Sequence, residues 1–211
     1  MCCQVIVKLP NIVLTPDEPE YYGCDWLVEG IHNEHIIAVG VYYYDASNVS
    51  EAQLHFRQEV CVSGLTAWDR ESVRAIFGLR EGLALNQLLG TVATKSDRCI
   101  VFPNVLRHRL SPFHLLDPSR GGVLRSLVFL LVDPSVRIAS TANVPPQQRA
   151  WVEREVLSSV RGLQCLPEVL VREVMDYVGG ITPAQARAHR ETLARVHESM
   201  SRKWSRTPSS W

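Results

Sequence analysis

Up to about residue 145 the chain alternates short apolar runs with turn residues: CQVIVKL, HIIAVGVYYY, QLHFRQEVCV, RCIVF, LRSLVFLLV and VRIAS. β-Branched and aromatic side chains dominate these runs, and their lengths suit strands. HIIAVGVYYY and LRSLVFLLV are almost continuously apolar, which predicts inner strands covered on both faces. One short helix is predicted between strands, DRESVRAIFG, with Asp69 as its N-cap and Gly78 as its stop.

After NVPP the apolar period lengthens from two residues to about 3.6. QQRAWVEREVLSSV aligns Trp151, Val152, Glu155, Val156 and Val160 on one stripe, with Pro145 and Pro146 marking the start. LPEVLVREVMDYVGG repeats the device, with Leu170, Val171, Val174, Met175 and Val178 inward and a glycine pair at the end. Thr182 to Gln185 reads as a capping box that opens a third helix running to about Lys203. The expected organisation is a β body over 1–145, a helical region over 146–204 packing on or beside it, and a disordered tail over 205–211. The class is α+β, and the pattern leaves a double-stranded β-helix, a sandwich and a small barrel open.

Composition narrows the function more than the fold. Hydrophobic residues make up 46% of 211, ample for a core, and 22 basic residues balance 22 acidic ones. A chain with no net charge has no global attraction for nucleic acid. The six cysteines, at 2, 3, 24, 61, 99 and 165, show no CxxC or zinc-finger spacing. MCCQVIVKLP has neither a basic leader nor a long apolar core, and no later run approaches the ~20 apolar residues of a membrane span. The chain is therefore expected to be cytoplasmic, soluble and reduced, without nucleic-acid or membrane partners and with no oligomeric state implied. Cys2 and Cys3 read as small hydrophobes opening a strand, with lipidation or soft-metal binding as the alternatives.

Three stretches go beyond core and turn. In DWLVEGIHNEH, Leu27 and Glu29 lie two apart and share a strand face. In FPNVLRHRLSPF, His108 sits between two arginines. GGVLRSLVFLLVD is a strand beginning near Arg125. Arg107, Arg109, Arg120 and Arg125 cluster around one strand pair, fit either to bind an anionic small molecule or to form surface ion pairs with Asp117 and Asp133.

VEGIHNEHIIAVGVYYYDASNVSEAQLHFRQEV, FPNVLRHRLSPFHLLDPSRGG, FLLVDPSVRIASTANVPPQQRAW and LPEVLVREVMDYVGGITPAQARAHRETL resemble, in order, blocks of a large and mostly fungal family of unknown function. That family is described as similar to iron(II)/2-oxoglutarate oxygenases, and the resemblance covers about residues 4 to 200, the C-terminal part of longer members. It implies a jelly-roll body of the double-stranded β-helix type. It also implies iron(II) held by a His-x-Glu pair and a distal histidine, and 2-oxoglutarate paired with an arginine on the last core strand.

By resemblance, the metal ligands are Glu29 and His108. The family's first histidine falls on Leu27, which has no lone pair to give. Counting without gaps, its arginine falls on Leu124, and Arg125 reaches the co-substrate only if a bulge, as at Gly121 and Gly122, restores its facing. His32, His35 and Cys24 are substitutes for the lost ligand by proximity alone. Two functions remain open: an oxygenase with a reduced ligand set acting on a small-molecule substrate, or a jelly-roll that keeps a binding or structural role without catalysis.

Overall fold

The computed structural model describes residues 3–60, 70–78 and 86–205. Their secondary structure runs β1 (Val5–Lys8), β2 (Asn11–Leu14), β3 (Glu20–Tyr21), β4 (Ile36–Ser47), β5 (Ala52–Glu59), α1 (Arg70–Phe77), β6 (Asn86–Thr94), β7 (Arg98–Pro103), β8 (Arg107–Leu110), β9 (Phe113–His114) and β10 (Gly122–Val132). The helices α2 (Arg149–Ser159), α3 (Glu168–Val178) and α4 (Pro183–Ser205) follow. The class is α+β with antiparallel sheets. Asp69, expected to cap α1, and the tail beyond Ser205 lie outside the described residues.

Contacts divide the chain into a unit that reaches Ile138 and a second unit, Ala139–Ser199. In the first, a five-stranded sheet has the order β1-β10-β4-β7, with β2 also on β10, and a three-stranded sheet has the order β6-β5-β8. A two-stranded ribbon pairs β3 with β9. The core shows why both sheets belong together: Val39, Val41, Leu124, Val128 and Leu130 of the larger share one cluster with Leu54 and Phe56 of the smaller. Along β10 every even residue from 122 to 132 is buried.

The expectation that the two long apolar strands are covered on both faces holds for one face only. Phe129 remains 42% exposed and Ile37 43%, both on the outward side of β4 and β10. VRIAS is not a strand: after Val132 the chain leaves the sheet through a turn in which Asp133 caps Ser135. β2, β3, β6, β8 and β9 were not read from the pattern, since EY, NIVL, RHRL and FH are too short and NQLLGTVAT alternates too weakly.

The second unit keeps two of its predicted caps and rotates one helix. Gln185 Oε1 accepts from Thr182 N–H at 2.9 Å, and the Gln185 N–H donates to Thr182 Oγ1 at 3.3 Å, the reciprocal box that starts α4. Gly179, at φ +85°, ends α3. In α2, however, Trp151 is half exposed and Glu155 exposed, while Val152, Val156 and Leu157 are partly covered. Arg149 explains the turn: its guanidinium bonds Glu153 at 2.8 Å and Asp176 of α3 at 2.6 Å, so its side faces α3 and Trp151 points away. In α3, Val171, Val174 and Met175 face inward, but Leu170 and Val178 stay exposed.

Candidate metal centre

Leu27 and His108 are a directly opposed pair. Each N–H donates to the other's carbonyl, both at 3.0 Å, so the segment through Leu27 lies antiparallel along β8. Opposed residues of such a pair present their side chains on the same face. Position 27 is therefore where a second imidazole would stand beside His108, and hydrocarbon fills it. Cys24 is occupied elsewhere on the same edge, where its Sγ accepts from the Leu110 N–H at 3.3 Å.

His108 is buried against aromatic rings, with Phe102 edge-on at 4.9 Å and Phe56 at 6.5 Å between centroids. Its Nε2 stands 3.7 Å from Glu29 Oε1, and among the described residues its Nδ1 meets no hydrogen-bond partner. Asn104 fixes Glu29 through the main chain. The Glu29 N–H donates to Asn104 Oδ1 at 3.0 Å, and Asn104 Nδ2 donates to the Glu29 and Ile36 carbonyls at 2.9 and 3.1 Å. Gly30, at φ +75°, then turns the chain where a Cβ would strike Ile36 and the Glu34 carboxylate.

The other Glu29 oxygen is taken. Lys8 Nζ, at the end of β1, lies 2.7 Å from Glu29 Oε2. Burial alone would raise this carboxyl, but His108 and Lys8 together hold it down from the usual 4.5 to about 2. At 3.7 Å the imidazole contact is longer than a hydrogen bond, so Lys8 is the firmer hold. Beside the carboxylate a cleft of about 310 Å³ opens, lined by Val28, Ile31, His32, His35 and Asp133 among others.

The structure brings Glu29 and His108 together with Leu27, and leaves the other expected residues outside that group. His32 and His35 line the cleft with ring centroids 5.6 Å apart. Among the described residues no three His, Cys, Asp or Glu side chains gather as a metal-binding group. Leu124 faces the core at 3% exposure. Arg125 faces outward, on the strand face opposite Leu124, and pairs with Asp45 at 3.2 Å. A bulge does lie beside Arg125, but on β4: Ser126 pairs with Tyr43 and Arg125 with Asp45, leaving Tyr44 as the extra residue. Nothing re-phases β10 itself, so Arg125 keeps the outward side.

The expected arginine cluster also divides. Arg107 and Arg109 share β8, Arg125 belongs to Asp45, and Arg120 lies in the loop before β10. Asp117 and Asp133 are capped by Ser119 and Ser135, not by arginine. Lys8 and Asn104 are the residues that sequence reading missed. Asn104 carries no local signal, and Lys8 is 21 positions from its partner.

The family model described as a protein of unknown function, DUF4246, matches residues 2–155. The chain belongs to the DUF4246 family. No curated protein matches this DUF4246 chain. Among solved structures it is similar to the Fe(II)/(alpha)ketoglutarate-dependent dioxygenase TqaL, at 14% identity and a TM-score of 0.37, over 65% of this chain and 44% of that one. It is similar to hydroquinone 1,2-dioxygenase PnpCD at 15% identity and a TM-score of 0.31, over 66% of this chain and 64% of that one. It is also similar to a Bacillus endospore appendage protein, at 7% identity and 0.26, over 63% and 93%. The chain thus spans less than half the length of TqaL and under two thirds of the PnpCD chain. Likenesses this weak join enzymes to pili and carry no weight for the chemistry of DUF4246.

Proposed function

We propose that this DUF4246 chain is an iron(II)/2-oxoglutarate oxygenase-like protein on a double-stranded β-helix, in which an internal ion pair has replaced the metal, leaving a binding or structural module without oxygenase chemistry. Two antiparallel sheets sharing one core support the fold part of this reading. The observation that carries the rest is Lys8 on Glu29 at 2.7 Å.

A two-histidine, one-carboxylate iron site needs three donors on one face. Here the donors are Glu29 and His108, and the third position is Leu27. The ammonium already holds one carboxylate oxygen, and a dication there would meet its repulsion. 2-Oxoglutarate fares no better: the position for its arginine is Leu124, in the core, and Arg125 is on the far side of the strand. The residues present do not fit either group.

The 3.7 Å approach of Glu29 and His108 favours the competing reading, an oxygenase with a reduced ligand set and a small-molecule substrate. Anaerobic titration of the purified chain with iron(II) and 2-oxoglutarate separates the two. The expected result is no visible charge-transfer band from the wild type. Cobalt(II), followed by its d–d absorption, is expected to bind about tenfold more tightly to Leu27→His with Lys8→Ala than to the wild type, as two obstacles are removed. A charge-transfer band from the unaltered chain would overturn the proposal.

A further inference from the structure

The outward face of the three-stranded sheet gathers positive charge with no counterpart on the inward face. Strand alternation and register place His55, Arg57, Arg107 and Arg109 together there, with His55 opposite Arg109 and Arg57 opposite Arg107. Trp26, next to the edge residue Leu27, joins them from the neighbouring segment. The Arg57 and Arg109 guanidiniums lie over its ring, 4.6 and 4.7 Å from the centroid. Arg107 is buried, and its Nη2 stands 3.8 Å from the half-exposed Glu59 carboxylate, beyond hydrogen-bond range.

Gathering three guanidiniums costs free energy through mutual repulsion, and the nearness of Arg107 and Arg109, after burial itself, lowers the Arg57 pKa. Among the described residues Arg109 has no carboxylate within ion-pair range, and its guanidinium rests on the indole. A guanidinium stacked by its face on an aromatic ring, as that of Arg109 is, has its N–H edge fixed in direction. A fork held this way is pre-organised for bidentate oxygen acceptors.

We infer that Arg107 and Arg109, with Arg57 and the Trp26 ring, form a binding site for a multivalent oxoanion, of the phosphate or dicarboxylate class, on the outer face of the β6-β5-β8 sheet. The site is separate from Glu29 and His108, because Arg107 and Arg109 flank His108 on a strand and point to its other side. It holds whether or not the inward pair ever carried a metal.

Titration calorimetry of the full chain with sodium pyrophosphate, and separately with sodium succinate, against sodium chloride at matched ionic strength tests this. At least one of the two is expected to bind saturably, and which one does so distinguishes a phosphate ligand from a dicarboxylate. Arg109→Ala is expected to weaken that binding about tenfold, and Arg109→Lys by less, since an ammonium keeps the charge and loses the fork. Trp26→Leu retains every charge and is expected to weaken it roughly threefold by releasing the stacked guanidiniums. Arg125→Ala is expected to leave it unchanged. Absence of saturable binding to the wild type, or an equal loss in Arg125→Ala and Arg109→Ala, would overturn the site.

Discussion

On the inward face of β8 the His108 imidazole meets a carboxylate that Lys8 already neutralises, whereas on the outward face Arg107 and Arg109 stand beside Arg57, and Arg57 and Arg109 share the Trp26 indole. The first cluster is closed around its anion: Lys8 holds Glu29, which is 17% exposed, and the imidazole beside it is 9% exposed. The second gathers like charges around the one Glu59 carboxylate at Arg107, and an aromatic ring directs Arg57 and Arg109. A buried carboxylate paired with an ammonium holds the fold, whereas guanidiniums gathered on an outward face can present their N–H edges to a ligand.

The sharpest way to break this contrast is to force charge into the inward side. Leu124→Arg puts a guanidinium into the apolar core and is expected to cost about 3 kcal/mol or more in urea unfolding. Recovery of a 2-oxoglutarate site at unchanged stability would show that the interior is built for that charge after all. Glu29→Gln is next, expected to cost about 2 kcal/mol by leaving Lys8 and His108 without their anion.

That cost should depend on pH in one direction. Glu29 is depressed from 4.5 to about 2 in the folded chain, so its contribution is fully present above pH 4.5 and is lost as pH falls toward 2. The stability gap between wild type and Glu29→Gln should close over that window, and a gap constant down to pH 2 would remove Glu29 from the closed cluster. Trp26→Leu is a smaller change, about 1 kcal/mol from the lost stacking, read by thermal unfolding. Smallest is Arg125→Ala, within about 0.5 kcal/mol, because its pair with Asp45 is solvent-exposed. A loss comparable to that of Glu29→Gln would mean that the outward pairs also hold the fold.

What the sequence revealed of this arrangement depended on range. The long strands β4 and β10, the glycine that ends α3 and the box that opens α4 are written in adjacent residues, and local pattern finds them. Short edge strands such as β2 and β8 owe their existence to the partners they meet, and those partners are distant in the chain. The same holds within the site. Glu29 and His108 were legible through a family resemblance, but the ammonium that closes the cluster comes from Lys8 on another strand. The arginine cluster was visible as composition, yet Arg57 and Trp26 belong to it and Arg120 and Arg125 do not. Only the register of β5 against β8 could show that.

Tyr44 lies opposite no residue of its own on β10, the two flanking pairs being Tyr43 with Ser126 and Asp45 with Arg125. Deleting it would restore a regular ladder without turning Asp45 or Arg125 over. The strand therefore has, at Tyr44, a position at which the chain can shorten by one residue over evolutionary time while its flanking neighbours keep their side of the sheet.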